Sequence, residues 1–314
     1  MISHRNPTLI TSEKKHVEKV RINAVFSVLI SSLFAGLILA QPVSADVFCR
    51  FLNDGHSNYG RVEGNSIIVL TDAPWLGGKE NGKTVLLNEV KLLPPAEPRS
   101  IIGIAGAYAA PGSNPPVTSR WFAKSASAAA TDGTEVVIPP SLDALKVEVE
   151  LVIVIGQKTR DASIQQAATA IFGYATGTEI FGFVQSYHRV SGDNPDRNES
   201  MLAAGLKLGD NFAPFGPFIY TDVDWRERQR KLTITTAAGE LRVSYSHNTS
   251  GLLYPPAKIV SDLSRVVTLE PGDLIFSGTS KSFVIEAGET VTTEIEGFGT
   301  ISNLIVRSSP TQAH

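Results

Sequence analysis

The stretch Lys146-Val-Glu-Val-Glu-Leu-Val-Ile-Val-Ile-Gly156 constrains the fold of this chain more than any other. Leu151 to Ile155 are apolar and mostly β-branched, which reads as a strand buried on both faces. Glu148 and Glu150 stand at the mouth of that strand. Side chains two apart in a strand point the same way, roughly 7 Å apart along it. Two readings stay open from this stretch alone. The glutamates either face solvent at a strand edge, or they form a pair of hard oxygen ligands for a divalent cation, because buried carboxylates must be paired or hold metal.

The chain around this strand is large enough for a sizeable core. It has 314 residues, 42% of them hydrophobic, and a formal charge of −3. That balance excludes a disordered or collagen-like chain, and without a Lys/Arg-rich run nothing points to nucleic acid. The 26 glycines, 18 prolines and many short Val/Ile/Thr runs favour strands and turns. The expected fold class is α+β, rich in β and poor in helix.

The first 45 residues differ. Ala24 to Ala40 carry no charge, follow Lys14, Lys15, Lys19 and Arg21, and precede the small residues Val43-Ser44-Ala45. This is the pattern of a signal peptide cleaved after Ala45, so the expected location is periplasmic or secreted. An uncleaved membrane anchor is the alternative, although the stretch is short of the roughly 20 residues that span a bilayer. The one cysteine, Cys49, cannot form an internal disulfide.

Residues 46–98 read as a small N-terminal β region ending in the Pro-rich linker Leu92-Leu-Pro-Pro-Ala-Glu-Pro98, and residues 99–308 as the main domain. A helix is expected over 162–172, capped by Asp161 and stopped at Gly173, and a second over 256–264 with Pro256 at its first turn. Residues 183–211 read as a long loop, and strands are expected near 218–221, 232–236 and 241–245. A metal site needs a third ligand, and Glu179 is the best candidate, a lone acid within Thr176-Gly-Thr-Glu-Ile-Phe-Gly-Phe183.

Several motifs in order carry a resemblance. They are Glu148-Val-Glu150-Leu-Val-Ile-Val-Ile-Gly156, then Gly173-Tyr174 leading to Glu179. Lys207-Leu-Gly-Asp210 follows, leading to Pro214-Phe-Gly-Pro217, then Leu269-Glu-Pro-Gly-Asp273 leading to Gly278-Thr279. Together they resemble the fumarylacetoacetate hydrolase family. The resemblance implies a mixed β-roll, barrel-like sheet of the fumarylacetoacetase C-terminal type. It also implies one divalent cation (Mg²⁺ or Mn²⁺, with Ca²⁺ as a further option) held by Glu148, Glu150 and Glu179. Lys207 would contact the substrate or a water, and Thr279 the substrate carboxylate. The substrate would be a small 2-oxo or enol acid, cleaved by C–C hydrolysis or decarboxylated, and the assembly a homodimer. Hydration or isomerisation, or a degenerate binder that has lost turnover, are the alternatives.

The chain departs from that pattern at telling places. Where the family's hydrolases carry N-Y-x-x-H-x-x-E, this chain reads Ala107-Tyr-Ala-Ala-Pro-Gly-Ser-Asn114, so the water-activating His–Glu dyad is absent. The third ligand is Glu179 rather than Asp, and no arginine follows it before Gln185. Those features, with the short run from Gly278 to Ala287-Gly-Glu289, resemble the hydratase/decarboxylase branch, which uses three glutamates. His188, in the long loop, is the candidate to replace the missing histidine. His247, just before Asn248-Thr-Ser250, is a second candidate of similar standing.

Overall fold

The computed structural model describes residues 45–108, 119–183 and 206–308. Among these no helix is long and apolar enough to cross a membrane. Residues 24–40, His188 and most of the long loop lie outside the described residues.

The first strands form a meander: β1 (Val47–Asn53), β2 (His56–Glu63), β3 (Ser66–Leu70), β4 (Glu80–Leu86) and β5 (Lys91–Leu93). Each turn carries the residue its backbone needs. Gly55 and Gly64, for example, sit at positive φ where β-turns fold the chain back. The Pro-rich stretch that reads as a linker is partly packed. Leu92 and Leu93 pair in β5 against β1, and Ala96 is fully buried.

The remainder contributes β6 (Ile101–Ala105), β7 (Arg120–Lys124), β8 (Ala129–Ala130), β9 (Val136–Ile138) and the long pair β10 (Ala144–Ile155) and β11 (Ile171–Phe183). After these come β12 (Ala213–Pro214), β13 (Phe218–Tyr220), β14 (Gln229–Thr235), β15 (Leu241–Asn248), β16 (Leu274–Phe276), β17 (Phe283–Ile285), β18 (Thr290–Ile295) and β19 (Gly299–Arg307). A twelve-stranded sheet runs β4-β3-β2-β1-β13-β11-β10-β16-β6-β7, with β5 on β1 and β17 on β10. A five-stranded sheet runs β15-β14-β18-β19-β9. Both mix parallel and antiparallel pairs, and neither closes into a barrel.

The core lies between these sheets. Val147, Val149 and Leu151 of β10 pack with Leu232 and Ile234 of β14, Val291 and Ile295 of β18, and Ile305 of β19, all fully buried. Polar residues also cross this interface, but paired: Thr178 and Thr293 share a hydrogen bond of 2.7 Å. A second cluster packs the helix α2 (Pro256–Ser264) through Ile259, Val260 and Leu263. Pro256 opens that helix, where its missing N–H costs nothing.

The first helix differs from its sequence reading. α1 covers Ile164–Ala170 only, and its N-cap is Ser163 rather than Asp161. Ser163 and Gln166 form a reciprocal capping box, which a lone Asp161 cannot offer. Asp161 instead takes positive φ in the turn before it. Gly173 is not the helix stop either. Ile171 is already extended, and the chain passes straight into β11. Gly173 serves close approach to β13, because a Cβ there would lie 2.4 Å from the Tyr220 carbonyl oxygen.

Candidate metal centre

The β10–β11 ladder brings the three glutamates together. Its antiparallel register sets Glu148 directly opposite Glu179, and Glu150 opposite Gly177. Alternation along both strands then puts all three carboxylates on one face. One oxygen from each lies within 4.8 Å of the others. Glu150 and Glu179 are buried and Glu148 is half-buried.

Like charges opposite each other destabilise a sheet, so cations must answer them. Glu179 has two. Lys124 Nζ donates to its Oε1 at 2.5 Å and to the Ile180 carbonyl at 2.7 Å, while Lys207 Nζ donates to its Oε2 at 2.6 Å. Lys207 also lies over the rings of Phe181 and Phe122, at 3.6 and 4.3 Å from their centroids. Glu150 receives the backbone N–H of Gly278 on Oε2 at 2.7 Å.

These supports do not quiet the cluster. Burial, and then repulsion from Glu179, push the Glu148 carboxyl up to about 7, against the pull of Lys207. Burial, Glu148 and Glu179 hold Glu150 well above the usual carboxylate range, although the Gly278 N–H opposes them. Burial lowers the Lys124 ammonium, with Glu179 pulling the other way. Three hard oxygen donors on one face, two of them with raised carboxyls, fit a small oxygen-preferring divalent ion.

A gap in the sheet admits the next groups. On its other edge β10 pairs with β17 through Leu145–Val147 and with β16 through Val152–Val154, leaving Glu148 to Leu151 free of a strand. The turn after β16 fills the gap, with Ser277 N–H on the Leu151 carbonyl. Arg230 of β14 fills it too, with Nη1 donating to the carbonyls of Val149 at 3.2 Å and Gly278 at 3.1 Å. Its guanidinium carbon lies 4.4 Å from the centre of the Tyr108 ring, and Nη2 is 3.1 Å from His247 Nδ1.

The structure therefore sets Glu148, Glu150, Glu179 and Lys207 in one cluster. Thr279 follows Gly278 beside it, its Oγ1 buried and without a hydrogen-bond partner. His188 falls outside the described residues. Lys124, Arg230 and Tyr108 escaped the sequence reading. For Arg230 a signal existed, because Arg230, Leu232 and Ile234 share the buried face of β14.

The comparisons agree with this architecture. The fumarylacetoacetate (FAA) hydrolase C-terminal family matches residues 104–306, and a Rv2993c-like N-terminal family matches residues 48–95. The chain belongs to the fumarylacetoacetate hydrolase family. It is 31% identical over 231 residues to Protein Rv2993c of Mycobacterium tuberculosis, covering 72% of this chain and 82% of that one. It is also 31% identical over 172 residues to a 4-hydroxyphenylacetate degradation bifunctional isomerase/decarboxylase of Salmonella dublin, covering 54% of this chain and 37% of that one. Among solved structures, a 2-hydroxyhepta-2,4-diene-1,7-dioate isomerase from Mycobacterium marinum superposes with a TM-score of 0.72. It has 27% identity and covers 85% of this chain and all of that one.

Proposed function

We propose that this chain is a divalent-cation-dependent enzyme that moves protons or carbon dioxide at small 2-oxo or enol acids, as an isomerase or decarboxylase. One observation carries the reading: three carboxylates on one face of a ladder, two of them directly opposed, with two lysines locked onto the third. Glu148, Glu150 and Glu179 would hold the ion. Once bound, it supplies Lewis-acid stabilisation of negative charge on a 2-oxo acid's oxygen.

The chain's own residues do the rest. Lys124 is sealed from solvent and fixes Glu179, whereas the Lys207 side chain, on the other oxygen of the same carboxylate, keeps 12% of its exposure. Lys207 Nζ is therefore the group that delivers a proton to the enolic carbon. Thr279 Oγ1, with no partner in the protein, donates to the substrate's carboxylate. Gly278 N–H orients Glu150. The names of the Salmonella and M. marinum relatives support proton-transfer and decarboxylation chemistry. Hydrolytic C–C cleavage is the second reading. It needs a base for water, and the sequence lacks the His–Glu dyad after Tyr108.

A spectrophotometric panel tests the proposal, with Mg²⁺ or Mn²⁺ and oxaloacetate, acylpyruvates and 2-hydroxydienoates as substrates. The expected result is metal-dependent loss of enol absorbance for at least one class, abolished in Lys207→Met. No turnover across the panel would overturn it.

A further inference from the structure

The ladder that carries the three glutamates continues past them. Glu150, Glu148 and Lys146 share one face of β10 by parity, and Glu179, Phe181 and Phe183 share the matching face of β11. Lys146 stands directly opposite Phe181, and Ala144 opposite Phe183. The other face of β10 is core, since Leu145, Val147 and Val149 are fully buried. Outward from the metal cluster, the open face therefore changes from acidic to aromatic. Phe122 of β7 joins it through Lys207, whose ammonium lies over both Phe122 and Phe181.

Lys146 is the residue on this strip that the metal site leaves unexplained. An ordinary surface lysine lays its stem along apolar groups and turns its ammonium to water or to an acid. Lys146 Nζ lies 5.9 Å from the centre of the Phe181 ring and 5.0 Å from that of Phe183. Among the described residues it has no hydrogen-bond or carboxylate partner. Lys146, Phe181 and Phe183 are all half-buried, so each keeps surface to offer a ligand. The small Ala144 leaves Phe183 without a large neighbour across the ladder, and the two also line a cleft of about 690 Å³.

Half-open rings beside a site for small acids offer apolar contact to whatever the acid carries beyond its head. The ammonium adds a preference, because it is attracted to the face of an aromatic ring and gains nothing from a saturated ring of the same size. Phenylalanine rings also pack well against an incoming ring, edge to face or offset. The distances agree. Phe181 lies two residues, roughly 7 Å, beyond Glu179 along the strand. That is past the reach of a pyruvate-sized head and within reach of a ring borne two carbons beyond the 2-oxo carbon.

We infer that Lys146, Phe181 and Phe183 form an aryl subsite, so that the preferred substrates are 2-oxo or enol acids bearing a planar aromatic tail. The acid head sits at the glutamate cluster. The tail lies along β11, with its ring facing Lys146 Nζ and packed against Phe183. The strip sets specificity and takes no part in proton transfer. This inference rests on the 2-oxo-acid reading proposed above.

The test is calorimetric and needs no turnover. The full chain loaded with Mn²⁺ is titrated with 2-oxo-4-phenylbutanoate, 2-oxo-4-cyclohexylbutanoate and 2-oxobutanoate, three monoanions that share a head and differ only in the tail. Wild type should bind the phenyl acid at least about tenfold more tightly than 2-oxobutanoate, the scale of burying part of a ring. It should prefer phenyl to cyclohexyl about threefold, the scale of a cation–π contact. Lys146→Met, which keeps the length and removes the charge, should erase the second preference and keep most of the first. Phe183→Leu should cut the first preference about threefold or more and leave 2-oxobutanoate within about twofold of wild type. Equal affinity for all three acids, or a preference for phenyl that Lys146→Met leaves intact, would overturn the subsite alone. Binding of Mn²⁺ but of none of the acids would overturn the 2-oxo-acid reading and the subsite together. Absence of Mn²⁺ binding, seen before any acid is added, would overturn the metal reading and this inference with it.

Discussion

Lys124 Nζ lies 2.5 Å from Glu179 Oε1, and both side chains are completely shielded from solvent. Such a pair is poor evidence of net stabilisation, yet breaking it exposes the remaining charge to an apolar surrounding. Lys124→Met should therefore destabilise the protein by about 3–5 kcal/mol in urea unfolding. Lys124→Met combined with Glu179→Gln should cost clearly less than the two single changes added together. Additive losses would show that the two residues do not form a unit.

The carboxylate cluster sets a pH dependence for the metal-free protein. Glu148 rises from its ordinary 4.5 to about 7 in the fold, and Glu150 also rises. A carboxyl whose folded value is raised binds more protons in the native state than in the unfolded one. Its stabilisation is present below the unfolded value and is lost as pH climbs through the folded value. Thermal stability without metal should fall from about pH 4.5 to pH 7 and beyond, and added Mn²⁺ should restore more of it at the upper end. Rising metal-free stability across that window would contradict the arrangement.

Gly278 is held at φ +89°, and a Cβ there would lie 2.7 Å from both the Ala107 Cβ and the Ile104 carbonyl oxygen. Gly278→Ala should cost about 1–3 kcal/mol and weaken Mn²⁺ binding, because the N–H on Glu150 shifts with the turn. Gly239, at φ +81° with nothing within 4 Å, is the control. Its alanine variant should cost about 1 kcal/mol and leave metal affinity alone. Equal behaviour of the two would remove the Gly278 turn from the site.

Much of the site was legible in sequence because strand alternation is a strict rule. Glu148 and Glu150 share a face by parity, and the family-like order of motifs brought Glu179, Lys207 and Thr279 alongside them. The turn at Leu269-Glu-Pro-Gly-Asp273 was legible for a local reason. Gly272 takes positive φ, and the buried Asp273 carboxylate accepts the N–H groups of Arg99, Ser100 and Glu270. What escaped depends on pairing between distant strands. Lys124 sits on edge strand β7 in Arg120-Trp-Phe-Ala-Lys124, with nothing local to send its ammonium to Glu179, 55 residues on. Arg230 is buried because β10 lacks a strand partner at Val149, a gap visible only once β16 and β17 are both placed. Ser163 took the cap from Asp161 because Gln166 completes the box.

The central claim is that Glu148, Glu150 and Glu179 hold a divalent cation. Calorimetric titration of the full chain with Mn²⁺, at pH 6.5 in two buffers of different ionisation enthalpy, tests it most directly. The account predicts one site per chain, release of protons on binding because the raised carboxyls must ionise, and loss of at least about tenfold in affinity in Glu150→Gln. No binding by wild type, or binding that Glu150→Gln leaves unaltered, would contradict it.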